Sequence, residues 1–145
     1  SMIVIGTLFI QSGQITFESI LAGIIVGSLS SLVLFIASFP DHDADKSKGR
    51  KTLVIVIGKK NAANAFWIFP IISYVSILVG VYFELFPIFS LISLFSIPLM
   101  IKSGLGLKRN FDSVDDLVPF MSSTLMFSRI TGVLFVASFL IPLTL

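Results

Sequence analysis

Four long apolar segments constrain this chain more than any other feature of its sequence. A transmembrane α-helix needs about 20 predominantly apolar residues. Four stretches approach or exceed that length, namely 15–39, 61–83, 86–101 and 117–140. Only 12% of the residues are charged, whereas soluble domains are about 25% charged. The sequence therefore predicts an all-α polytopic transmembrane helix bundle with four full spans.

The residues before the first span predict part of another helix. Segment 2–10 is apolar but too short to cross a membrane, and segment 11–14 is a polar turn. The start of the chain also lacks the basic segment and the cleavage site of a signal peptide. We therefore expect residues 1–145 to form a single membrane domain taken from a longer protein, with 2–10 as the end of a fifth helix.

Nearly all basic residues fall on one side of the predicted bundle. If the four spans alternate in direction, segments 40–60 and 102–116 share an end, and they contain nine of the ten Lys and Arg residues. Loops rich in Lys and Arg remain in the cytoplasm. The sequence thus predicts an integral protein of the plasma (cell) membrane, with cytoplasmic loops 40–60 and 102–116.

An acidic pair lies at the foot of the first span. Asp41 and Asp45 are four residues apart, which places both carboxylates on one face of a helix. Oxygen ligands suit Mg²⁺, which commonly bridges carboxylate and phosphate oxygens. Asp43 points to another side of such a helix and is a weaker candidate ligand. His42, the single histidine, fits a surface hydrogen bond better than a metal site.

A basic cluster follows the acidic pair, at Lys46, Lys48, Arg50 and Lys51. Cations beside a Mg²⁺ site are what binding of a pyrophosphate requires. The same cations would also suit a loop beside an anionic lipid leaflet. From spacing alone, both a metal-and-phosphate site and a simple cytoplasmic loop of a transporter or channel fragment stay open.

Residues 41–58 resemble the second aspartate-rich motif of the UbiA-type intramembrane prenyltransferases. D-x-x-x-D at Asp41 and Asp45 precedes G-R-K-T-L at 49–53 and an apolar run that ends at Gly58. The resemblance implies a nine-helix fold of which this chain is the C-terminal part. It implies Mg²⁺ ligands at Asp41 and Asp45, and it implies pyrophosphate contacts at Lys46, Arg50 and Lys51.

The resemblance also implies a reaction, which is Mg²⁺-dependent transfer of an isoprenyl group from a polyprenyl diphosphate to an aromatic acceptor within the lipid bilayer. The nearest members act on naphthoate-type (menaquinone) quinone precursors, although other acceptors stay open. The first motif, of N-x-x-x-D type, has no counterpart here, so we expect the chain to need an N-terminal half and to be inactive alone. We assign no acid–base catalytic residue and expect no nucleic-acid partner.

Two further charged features need an explanation. Arg129 falls in the middle of the last span, where a charge is costly. It either contacts an anion or acceptor, or it pairs with a carboxylate from another helix. A second acidic cluster, at Asp112, Asp115 and Asp116, precedes the last span and favours a helix N-terminus over a second metal site.

Overall fold

The computed structural model describes Gly6 and residues 16–141, so the predictions for 2–10 and 11–14 fall outside the described residues, Gly6 excepted. The part of the chain that is described is helical and contains no strand, which confirms the all-α class. The elements, in order, are α1 (Phe17–Ala37), α2 (His42–Ser47), α3 (Leu53–Ile57), α4 (Lys59–Ala65), α5 (Ile68–Tyr82), a 3₁₀ helix (Ile88–Ser96), α6 (Ile97–Asn110) and α7 (Val114–Leu140).

Four helical stretches are long and apolar enough to cross a membrane, as predicted. They are Phe17–Ala37, Lys59–Tyr82, Ile88–Asn110 and Val114–Leu140. The first begins at Thr16, whose side chain accepts a hydrogen bond from the backbone N–H of Ser19. This cap satisfies a donor that would otherwise lack a partner in the first turn.

The prediction of a loop over 102–116 was wrong for most of that segment. Helix α6 continues to Asn110, and only residues 111–113 separate it from α7. Lys and Arg are good helix formers, and Lys108 and Arg109 in the last turn complement the helix dipole. The polar composition of residues 102–110 therefore indicates where the helix leaves the apolar region, and it does not indicate where the helix ends. Segment 40–60 likewise contains α2, α3 and the first residues of α4.

Two prolines shape the third span. Pro87 precedes the 3₁₀ helix, and Pro98 lies in the first turn of α6. Proline is tolerated there because its missing N–H has no partner in a first turn. Just before Pro98, the span changes from 3₁₀ to α-helical geometry at Ser96–Ile97.

Neighbouring spans pack antiparallel in a ring. Helix α1 contacts α5 and α7, while the 3₁₀–α6 span also contacts α5 and α7. Hydroxyl pairs cross three of these interfaces: Tyr74–Ser96 (2.8 Å), Ser96–Thr131 (2.6 Å), Ser90–Ser138 (2.9 Å) and Ser28–Ser73 (2.6 Å). Across the interface of the 3₁₀ helix with α7, residue numbers rise on one helix as they fall on the other. In lipid such interhelical hydrogen bonds contribute about 0.6 kcal/mol each on average.

Helix α6 approaches its neighbours closely because two glycines face aromatic rings. A Cβ on Gly104 would overlap the indole of Trp67, and a Cβ on Gly106 would overlap the ring of Phe120. Small residues allow helices to approach closely in lipid, where packing drives association. These contacts hold the end of α6 against the start of the second span and the start of α7.

The ring gathers the charged segments at one end. Residues 40–60 and 102–116 adjoin the C-terminal end of α1, the beginning of α4, the end of α6 and the beginning of α7, and we call this end the charged end. It carries nine of the ten basic residues. The opposite end carries Glu18, in the first turn of α1, and Glu84, in the turn after α5.

Candidate functional site

The chain turns sharply as it leaves the first span. Phe39 is buried to 2% exposure beneath the charged end, and Pro40 follows it. Asp41 then occupies the N-cap position of α2 without a cap hydrogen bond from its side chain, and the backbone N–H of Asp45 donates to the Asp41 carbonyl at 2.8 Å. Asp41 and Asp45 therefore lie one helical turn apart, and residues with this spacing share one face of a helix. This agrees with the helical arrangement predicted for the pair.

The two carboxylates differ in their surroundings. Among the described residues, the Asp41 side chain has no hydrogen-bond or ion-pair partner, and the residue is exposed. The Asp45 side chain is only 15% exposed and accepts a hydrogen bond from Nη1 of Arg50 at 3.1 Å. Arg50 therefore holds the orientation of Asp45, whereas Asp41 is open to a ligand.

A glycine turn brings Arg50 back to Asp45. Gly49 has a φ of +71°, and its N–H donates to the carbonyl of Lys46 at 3.1 Å. The next N–H, of Arg50, donates to the carbonyl of Asp45 at 3.0 Å. Glycine adopts a positive φ without the steric cost that a Cβ brings. The G-R sequence thus places the guanidinium beside the carboxylate.

Gly49→Ala is expected to loosen this arrangement. Nothing lies within 4 Å of a Cβ built at Gly49, so the cost is backbone strain of about 1–2 kcal/mol. A ligand that binds only the ordered turn would therefore bind roughly 5- to 30-fold more weakly, because the strain energy is subtracted from its binding free energy. Gly49→Asn is the matched control, since asparagine tolerates positive φ better than alanine. Equal affinities of the two variants for a diphosphate ligand would contradict this role of the turn.

Asp43 points away from the pair and binds two other side chains. Nδ1 of His42 donates to its Oδ1 at 2.7 Å, and Nζ of Lys59 lies 3.5 Å from its Oδ2. The hydrogen bond from His42, and then the charge of Lys59, lower the pKa of the Asp43 carboxyl below its usual value. Because this pKa is lowered, the contribution to stability is present above the unfolded-state pKa and is lost as pH falls through the folded value.

Lys59 is the residue of this cluster that sequence reasoning did not identify. Its side chain is 18% exposed and connects the first residue of α4 to α2. The contact joins positions 16 residues apart across two turns and a short helix, and no periodicity predicts such a pairing. The sequence signal available was the Lys59-Lys60 pair directly after Gly58.

The residues after the basic cluster form a helix cap, a buried anchor and a turn. Thr52 caps α3, with its Oγ1 accepting from the N–H of Ile55 at 3.4 Å. Val54 is fully buried and anchors α3 to the bundle. Gly58 has a φ of +82°, which lets α3 end and α4 begin at a single residue. Thr52 and Gly58 thus act as a helix cap and a turn residue.

The remaining basic residues of the cluster face solvent. Lys46, Lys48 and Lys51 are exposed, and none forms an ion pair with another described residue. Their ammonium groups lie within six residues of Asp41 or Asp45 in the chain. An anion near the acidic pair would therefore meet several unpaired cations, which is the charge pattern that phosphate groups require.

Arg129 lies far from this cluster along the bundle. It is 15 residues beyond Val114 in α7, or roughly 22 Å along the axis at the rise of an α-helix. Asp115 and Asp116 occupy the first turn of α7, as predicted for a helix N-terminus. Asp112 is exposed in the preceding turn. None of these residues joins Asp41 and Asp45.

The carboxylate ligands at the charged end suit a Mg²⁺ ion that is shared with substrate phosphates better than one that is enclosed by protein ligands alone. Within residues 16–141, no three acidic, histidine or cysteine side chains cluster as a metal site. Asp41 and Asp45 supply only oxygen atoms, from successive turns of one helix. Magnesium is often held by one or two carboxylates, with the remaining positions filled by water and substrate phosphates. Asp41 and Asp45 would hold it in this way.

The fold and the charged end together define a polytopic α-helical membrane protein with an acidic and basic cluster at one end. The chain belongs to the UbiA prenyltransferase family, whose sequence model matches residues 1–129. This confirms the family to which residues 41–58 were matched above.

A curated relative supports the same family. The 1,4-dihydroxy-2-naphthoate octaprenyltransferase of Escherichia coli (strain K12) is 27% identical to the chain over 133 residues. The alignment covers 92% of this chain but 43% of that relative, so the chain spans less than half the length of the protein that it matches. No solved structure gives a significant match.

Proposed function

We propose that this chain supplies one half of the diphosphate site of a Mg²⁺-dependent membrane prenyltransferase. The observation that carries the proposal is the separation of one helical turn between Asp41, the N-cap residue of α2, and Asp45, within α2, beside unpaired cations at the end of a four-span bundle. The proposed substrates are a polyprenyl diphosphate and an aromatic acceptor. The family assignment favours this activity over a transporter or channel.

Five charged side chains of this segment have a proposed role in binding the diphosphate. Asp41 and Asp45 would hold Mg²⁺, which supplies positive charge to the diphosphate when it is bound. Lys46 and Lys51 would contact phosphate oxygens directly. Arg50 orients Asp45 in the described structure, and a diphosphate would give its guanidinium a second acceptor. Asp43 is not proposed as a ligand, because His42 and Lys59 bind it.

Transfer breaks the bond between C1 of the isoprenyl group and the diphosphate oxygen. The bonding electrons leave with the diphosphate, and the allylic cation is attacked by a ring carbon of the acceptor, which then loses a proton. The cations of residues 46–51 favour this step because they stabilise the charge that develops on the leaving group. Rings in the bundle favour it because aromatic faces attract cations.

The relative supports the proposed acceptor class. The name of that protein specifies 1,4-dihydroxy-2-naphthoate as its acceptor and an octaprenyl group as the group transferred. We propose a naphthoate-type quinone precursor as the acceptor for the present protein, without assigning the length of its isoprenyl donor.

The arrangement in the cell is part of the same proposal. The charged end, with nine of the ten basic residues, would face the cytoplasm by the positive-inside rule, in the plasma membrane. An N-terminal half bearing the first aspartate-rich motif would complete the metal site, so residues 1–145 alone would be inactive.

A transfer assay on the complete protein tests the proposal. Labelled polyprenyl diphosphate is supplied with Mg²⁺ and a panel of aromatic acceptors, and the prenylated product is measured. We expect product with 1,4-dihydroxy-2-naphthoate and loss of product when a chelator removes the metal. The hypothesis fails if no acceptor is prenylated, or if the chelated enzyme remains fully active.

A further inference from the structure

The outer face of α7 carries a charge at the depth where a lipid-facing helix is apolar. Most of its exposed side chains are aliphatic or methionine, and they recur mainly every three or four residues. The stripe comprises Val118, Ser122, Leu125, Met126, Arg129, Val133, Val136 and Leu140, with the exposed Pro119 and Phe139 beside it. Such a stripe would suit hydrocarbon if Arg129 were absent. Arg129 therefore determines what this face can contact.

The contacts of its neighbours fix the depth of Arg129. Ser128 donates to the carbonyl of Leu29 at 3.5 Å, near the middle of α1, and Thr131 binds Ser96, where the 3₁₀ helix meets α6. From Arg129, α7 continues for 15 residues towards Val114 and 11 towards Leu140, or roughly 22 and 17 Å. A long basic side chain near a helix end reaches the interface, but Arg129 is too deep to reach either interface.

The chain itself has no carboxylate at this depth. All eight acidic residues lie at the ends of the bundle: Asp41, Asp43, Asp45, Asp112, Asp115 and Asp116 at the charged end, and Glu18 and Glu84 at the other. Among the described residues, Arg129 forms no ion pair. An ionisable group inside a membrane normally faces protein or water and pairs with an opposite charge.

The positions of the charged groups also exclude several other partners for Arg129 on the outer face of α7. A second copy of this chain, packed side by side in either direction, would again bring its carboxylates only to the ends. A lipid phosphate lies at the interface, about 15 Å from the centre of a 30 Å hydrocarbon layer. The proposed diphosphate site is at the charged end, roughly 22 Å away along α7.

We propose that the α7 stripe from Val118 to Leu140 packs against a transmembrane helix outside these 145 residues, and that this helix presents an Asp or Glu to Arg129 at mid-membrane. The relative is more than twice as long as the segment matched, at 43% coverage, so a protein of that length has room for such a helix. The proposal does not depend on the proposed enzymatic activity.

Cross-linking in the complete protein identifies the occupant. A photo-cross-linking amino acid is placed at Val133, one turn from Arg129 and 66% exposed, and as a control at Val75 on α5, which is 51% exposed. We expect position 133 to cross-link to a transmembrane peptide that lies outside residues 1–145 and contains an acidic residue. Cross-links from 133 only to lipid, or to a second copy of this chain, would overturn the proposal.

Charge removal tests the pairing itself. Arg129→Leu is expected to lower the thermal unfolding midpoint by several degrees, because it leaves the partner carboxylate buried alone. Neutralising that carboxylate as well should recover much of the loss. Arg109→Leu, the same change at an exposed position of the charged end, should have little effect on the midpoint. An unchanged midpoint for Arg129→Leu, or a higher KM for the acceptor at an unchanged midpoint, would contradict the helix contact.

Discussion

Replacing Asp41 or Asp45 with asparagine is expected to reduce prenyl transfer by the complete protein on the order of 10²–10³-fold, the range seen when one group that stabilises a developing charge is removed. Asparagine preserves the shape of the side chain but removes the charge that would attract Mg²⁺. Steady-state rates at saturating polyprenyl diphosphate, with both variants in lipid nanodiscs, measure the effect. Higher Mg²⁺ concentrations should restore only part of the lost rate.

Asp112→Asn is the matched control for this effect. Asp112 is exposed at the same end of the bundle and carries the same charge, but it lies in the turn between α6 and α7 and takes no part in the α2 pair. Its replacement should change the rate by less than threefold. If all three variants lose activity equally, the loss reflects net charge at this end, and the assignment of Asp41 and Asp45 is wrong.

The second large effect is expected at Phe127, in the centre of the bundle. Its ring is fully buried and lies edge-on to that of Tyr74, at 6.2 Å between centroids. Removing a buried phenylalanine ring leaves a cavity and costs about 3–5 kcal/mol. The argument holds in lipid, because helix association there depends on packing. Phe127→Ala should therefore lower the free energy of unfolding by that amount, measured by denaturant titration in mixed micelles.

The control for Phe127 is the same substitution at an exposed ring. Phe95 lies in the 3₁₀ helix and is 80% exposed, so its side chain loses little protein packing on truncation. Phe95→Ala should cost less than about 1 kcal/mol, in line with substitutions away from the core. Equal destabilisation of the two variants would show that α7 does not pack in the ring described here.

The number of spans and the gathering of the basic residues at one end of the bundle could be predicted, because hydropathy and the distribution of basic residues both depend on the bilayer. The end of the third span could not. Lys102, Lys108 and Arg109 indicate where the chain leaves the hydrocarbon, but a helix does not need hydrocarbon to continue, and α6 runs on to Asn110. Composition therefore located the interface and not the helix terminus.

The contacts of the candidate site could likewise be predicted from the sequence only in part. The four-residue spacing of Asp41 and Asp45 predicted a shared helical face, because that relation is local. The contact of Arg50 with Asp45 depends on the positive φ of Gly49, which the G-R sequence permits but does not require. The contact of Asp43 with Lys59 depends on how α3 and α4 fold back, and only the structure shows it.

Arg129 illustrates what a single intramembrane charge specifies. From sequence alone, an anion or acceptor contact and a pair with a carboxylate from another helix were both open, and the pair was favoured. The structure adds that its depth matches the middle of α1 and that every carboxylate of the chain lies at a bundle end. We therefore propose that Arg129 pairs with a carboxylate of another helix, and that this helix lies outside residues 1–145.

We propose that the segment around α2 binds the diphosphate through Mg²⁺, and calorimetric titration of the complete protein with a non-reactive isoprenyl thiodiphosphate tests this claim. We predict binding that requires Mg²⁺ and that the double variant Asp41→Ala, Asp45→Ala weakens at least 100-fold, while Asp112→Asn leaves it within threefold. Binding of the same strength by wild type and the double variant, or binding unaffected by a chelator, would contradict the claim.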